Sequence, residues 1–137
     1  MNMNALLTRP AAASDPVMVS PYDAADFKRE GLRPYNLYRE TPLARMTGGR
    51  FGARVQRSLQ AVPGPQGLHV HSAEFQLIYV LKGGVSFWYE GLGDVALGEG
   101  AIVYQPKGVR HQMTDLSEGC EILEVTIPAE FETREVD

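Results

Sequence analysis

The sequence predicts an all-β domain of the jelly-roll type, two sheets closed around one core, and three observations predict it. From residue 50 to residue 127, short segments alternate apolar and polar residues with a period of two. Gly and Pro punctuate them at even intervals, as at Gly91/Gly93, Gly98-Glu99-Gly100 and Pro106-Lys107-Gly108. Within that array His69 and His71 sit one residue apart, so a strand aims both imidazoles at one spot on a single face.

In chain order, residues 1–20 are rich in Ala, Ser, Asn and Pro without periodicity and read as a flexible tail, or an arm on a partner subunit. Residues 21–137 form the single barrel domain. Tyr22–Glu30 has the composition for one short helical turn or two before Gly31 stops it. Pro34 and Pro42 bracket an extended piece, residues 33–41, which is a candidate for strand exchange between subunits. Thr47-Gly48-Gly49 is a turn. The strand over 50–59 divides into Phe51, Ala53, Val55, Arg57 and Leu59 on an inward, largely apolar face, with Arg50, Gly52, Arg54, Gln56 and Ser58 on the other. Residues 63–67 are a loop. Strands are then expected over 68–72, 76–81, 84–90, 94–97, 101–105, 109–115 and 120–127.

Composition excludes several functions. A net charge of −4 gives no electrostatic footprint for nucleic acid or for an anionic membrane. Cys120 is the only cysteine, so no internal disulfide forms and a cytoplasmic setting is expected. The N-terminal residues lack the apolar run of a signal peptide, and no stretch approaches the ~18 apolar residues of a membrane span. At 137 residues the chain can bury one core without staples.

Two motifs carry the chemistry. The first is His69-Val70-His71, then SAEF, Gln76, LIYVLK and Gly83. The second is Gly100, AIVYQ, Pro106-Lys107-Gly108, VR, His111, QMT and Asp115, about 30 residues further on. Together they resemble the paired motifs of a small single-domain cupin, and with their link they cover about a third of the chain. The resemblance implies a double-stranded β-helix with His69, His71 and His111 as metal ligands. Gln76 stands where the family usually has a Glu ligand, and Asp115 where the second motif ends in Asn. Glu74 is the one carboxylate close enough in sequence to replace it, but the six-residue count to Gly83 favours Gln76. Pro63 stands at the place of the first motif's opening Gly.

Three imidazoles and an amide oxygen suit Fe, Mn, Ni, Co or Zn, and without a carboxylate a divalent ion would keep its full charge. Arg57, if inward, could clamp a substrate carboxylate; the alternative is an arginine that reaches solvent or pairs with a Glu. Tyr104, Gln105 and Met113 are further candidates for the pocket wall, or simply core residues. The reading is a metal-binding protein for a small anionic organic molecule, and as an enzyme a three-histidine, dioxygenase-like oxidoreductase. A non-catalytic binding or sensing module and a non-redox isomerase or lyase are the alternatives. By resemblance the partner is a second copy of the chain, in a homodimer.

Overall fold

The computed structural model describes residues 16–137, so most of the expected tail, residues 1–15, lies outside the described residues. Two antiparallel sheets make up the domain. The strands are β1 (Asn36–Glu40), β2 (Gly52–Ser58), β3 (Val62–Pro63), β4 (His69–His71), β5 (Phe75–Lys82), β6 (Val85–Tyr89), β7 (Gly93–Leu97), β8 (Ile102–Tyr104), β9 (His111–Leu116), β10 (Glu121–Ile127) and β11 (Thr133–Glu135). One sheet runs β1-β2-β10-β5-β8; the other runs β11-β4-β9-β6-β7, with β3 also paired to β9. This is the jelly-roll barrel that the alternation and the turn spacing predict.

Between the sheets, Ile78, Val80, Val85, Phe87, Leu116 and Ile122 form the apolar core. Burying each such side chain contributes about 1.5–3 kcal/mol. The remainder of the interior is a cavity of about 610 Å³ that carries the polar residues described below.

Short local structure precedes and follows the first strand. Within Tyr22–Glu30 there is one helical turn, a 3-10 turn at Ala24–Asp26, capped by the Asp23 carboxylate accepting from the Ala25 amide at 2.9 Å. A further helical turn, α1, forms at Leu43–Met46. Residues 36–40 pair with β2 of the same chain, from Asn36 opposite Ser58 to Glu40 opposite Arg54.

The inward face of β2 is the opposite of the one expected. Gly52, Arg54 and Gln56 line the cavity and Ser58 is buried, whereas Arg57 turns outward to Glu121, Tyr22 and Phe27. The physical reason lies in the neighbours. On β10 and β5 the inward set is Ile122, Glu124 and Thr126 with Gln76 and Ile78, so this end of the interior is polar. The outer face bears Tyr79, Leu81, Ile102 and Tyr104, all substantially exposed. Period-two alternation separates two faces, but it identifies the inner one only when the interior is the more apolar side.

Candidate metal centre

His69 and His71 project from β4 into the cavity, and His111 opens β9 directly opposite His69 in the ladder. Strand pairing therefore brings together residues about forty positions apart. Ring centroids are 4.8 Å apart for His69 and His71, 4.3 Å for His69 and His111, and 4.9 Å for His71 and His111. One ring nitrogen from each of the three lies within 4.8 Å of the others.

The second nitrogens settle which atoms are free. His69 Nδ1 lies 2.9 Å from the Gly67 carbonyl and His111 Nδ1 lies 3.0 Å from the Val109 carbonyl. A carbonyl can only accept, so Nδ1 carries the proton and Nε2 keeps its lone pair. His71 Nδ1 lies 2.8 Å from the Thr133 hydroxyl, supplied by β11 at the position facing His71. Phe131 meets the His71 ring edge-on at 5.3 Å.

Burial keeps the imidazoles neutral. It lowers His69, and it lowers His71 to about 3, with His111, His69, Arg33 and Arg54 adding to the effect. Burial likewise lowers His111 to about 4. A converging group of neutral imidazoles with anchored Nδ1 atoms fits a divalent transition metal.

Gln76, buried on β5, donates its amide nitrogen to Glu124 Oε2 at 3.0 Å. Only its carbonyl oxygen remains for a ligand. Glu124 is itself held by Arg54 Nε at 2.9 Å, and Arg54 also meets Glu40 at 3.5 Å. The cavity cation Arg54 is thus neutralised within the wall. Glu74 pairs with Lys107 away from the cavity and does not join the histidines.

Other expected residues separate. Met113 and Gln105 line the cavity or its wall, both buried. Tyr104 does not: it is 55% exposed and stacks on Phe75 at 5.8 Å on the outer face. Arg57 is likewise outside, with its guanidinium on Glu121 at 2.6 Å. Gln105 donates to the Tyr89 hydroxyl at 2.7 Å, and Tyr89 stacks on His111 at 5.6 Å. Gln105 Oε1 is buried without a partner. Burial pushes the Tyr89 phenol up to about 12, so it stays protonated.

Sequence reasoning did not single out Arg33, Arg54, Glu124 or Thr133 as site residues. Glu124 had a signal, a carboxylate in the middle of the apolar run CEILEVTI. Arg33 and Thr133 lie in segments without periodicity and had none.

A family model described as "Cupin domain" matches residues 60–126. No curated protein matches the sequence. Among solved structures, the polyketide cyclase RemF from Streptomyces resistomycificus is similar at 23% identity, with TM-score 0.64, over 88% of this chain and 87% of that one. An oxalate decarboxylase variant from B. subtilis is similar at 24% identity, with TM-score 0.60, over 89% of this chain and 34% of that one. A salicylate 1,2-dioxygenase from Pseudaminobacter salicylatoxidans shares 10% identity with TM-score 0.59, over 76% of this chain and 31% of that one. This chain thus spans about a third of the length of the decarboxylase and of the dioxygenase. At these identities the likeness is one of fold.

Proposed function

From the premise that this is a cupin-domain protein, we propose that it is a metal-dependent enzyme acting on a small anionic organic molecule. His69, His71 and His111 are its metal ligands, with Gln76 beside them. The observation that carries this reading is the set of three imidazoles whose Nδ1 atoms are engaged and whose Nε2 atoms are left to converge. A divalent ion held there supplies Lewis acidity and, as iron, a path for electrons to O₂. The finer assignment is a dioxygenase-like oxidoreductase.

The residues of the chain do the rest. Gly67, Thr133 and Val109 fix the ring orientations, and the neutral Gln76 amide leaves the ion's charge uncompensated. Phe87, Ile78 and Met113 form an apolar wall that restricts water. The working unit is residues 21–137, as a cytoplasmic homodimer; the apolar outer face of the β5/β8 edge is the support for pairing.

The test is elemental analysis of protein purified without chelator or polyhistidine tag, followed by oxygen-uptake screening with small organic acids. Near-stoichiometric iron with oxygen consumption supports the dioxygenase-like assignment. Stoichiometric metal with turnover in the absence of O₂ replaces it by an isomerase or lyase. Protein that holds no metal, even after reconstitution, overturns the metal reading. His111→Ala is expected to lower metal affinity by at least about 100-fold while the β circular dichroism is retained.

A non-catalytic binding module is favoured by one observation: the buried carboxylate Glu124 is committed to Arg54 and Gln76 and is not free as a base. Ligand-dependent thermal stabilisation without turnover would support that reading.

A further inference from the structure

Resting on the metal-site reading above, we propose that Arg33 selects the charge of the ligand. Its guanidinium anchors the carboxylate of a small organic acid whose other end reaches the histidines.

Arg33 lines the same cavity as His69, His71, His111 and Gln76. Among the described residues its guanidinium has no hydrogen bond and no ion pair. The other arginines nearby are occupied. Arg54 is bound by Glu124 and Glu40, Arg57 by Glu121, and Arg39 by Ser20 and Pro21. Among these, Arg33 is the one whose guanidinium has no partner at all.

The root of this side chain is nevertheless fixed. The Arg33 amide donates to the Tyr38 hydroxyl at 2.8 Å, and its carbonyl accepts from the Asn36 amide at 3.2 Å. Tyr38 is 2% exposed and lies so close over Gly31 that an added Cβ there would come within 2.0 Å of its ring. A held backbone with an uncommitted head group is the arrangement of a binding residue.

Charge and shape agree. Arg54 is paired with both Glu124 and Glu40, the imidazoles and the Gln76 amide are neutral, and Glu130 is the one further carboxylate of the lining, so Arg33 is the cation left to meet an anion there. A guanidinium matches a carboxylate with two parallel hydrogen bonds. The cavity, about 610 Å³ with Phe87, Ile78 and Met113 in its wall, has room for an apolar body beyond that carboxylate.

The test compares phenylacetate with its uncharged isostere phenylacetamide. Both are titrated by NMR into the wild type, Arg33→Gln and Arg33→Lys, each metal-stripped and Zn-loaded, with metal uptake measured in parallel. In the metal-stripped wild type, phenylacetate is expected to bind about tenfold or more tightly than the amide. Arg33→Gln should lose that preference, Arg33→Lys should keep part of it, and all three should take up Zn alike. A preference that survives in Arg33→Gln, or its absence from the metal-stripped wild type, overturns the proposal. Failure of the wild type to take up metal, with an Arg33-dependent preference intact, overturns the metal reading instead.

Discussion

At Gln76 a neutral amide donates to the buried carboxylate of Glu124, and that contact makes the residue hard to replace by its acidic counterpart. Gln76→Glu would restore the carboxylate usual at this motif position but set it against Glu124 Oε2. Two carboxylates at this spacing cannot both ionise cheaply, so the metal-stripped variant should lose about 2 kcal/mol in urea unfolding. Added metal should narrow that deficit, because a cation supplies the missing counter-charge. Cys120 gives a pH-dependent case. Burial, with Glu121 adding, pushes its thiol from 9.0 up to about 11. Between those values the folded chain keeps a proton that the unfolded chain has released. The unfolded state then binds fewer protons, and stability falls as pH rises through that window, being fully present below pH 9. The unfolding free energy of the wild type should therefore decline more steeply from pH 9 to 11 than that of Cys120→Ala. Equal slopes would refute the assignment. The histidines could be singled out in the sequence because their spacing alone aims two of them together and a Pro-x-Gly turn sets the third. Arg33 could not, since its position depends on a hydroxyl five residues away and on no local period.

Elements place these residues, and their joints are tight. Gly83 ends the β5 segment of the first motif at φ +75°, a region that L side chains rarely adopt. A Cβ there would come within 2.8 Å of Ser117 Oγ and 3.0 Å of the Cys120 Cα. Gly83→Ala is expected to cost roughly 2 kcal/mol in chemical denaturation with metal affinity unchanged, since the joint lies outside the histidine group. Strand existence followed the alternation closely through β4 to β10, where Gly and Pro mark the boundaries. Two short strands escaped it. β3 spans only Val62–Pro63 and β11 only Thr133–Glu135, too few residues to establish a period. β11 nonetheless supplies the hydroxyl that holds His71, so the part of the site hardest to anticipate came from the weakest pattern.

For the molecule as a whole, the same two-residue period produced the one reversal. In β2 the apolar set faces out, because the interior at that end is a polar cavity and the outer wall is greasy. That outer wall sets the expectation for assembly. Ile102 is 60% exposed beside Tyr104, Tyr79 and Leu81. Light scattering should give twice the chain mass for the wild type, and the double variant Ile102→Glu/Tyr104→Glu should run as a monomer with its metal uptake retained. A wild-type monomer at high micromolar concentration would discard the homodimer. No helix among the described residues is long and apolar enough to cross a membrane. The buried thiol has one more use at this scale. With its only sulfhydryl 2% exposed and held protonated, the native surface is silent toward maleimides at neutral pH. A single cysteine placed at the exposed hairpin residue Leu92 would then be the sole label on each copy, and the spacing between two such labels would report how the copies meet.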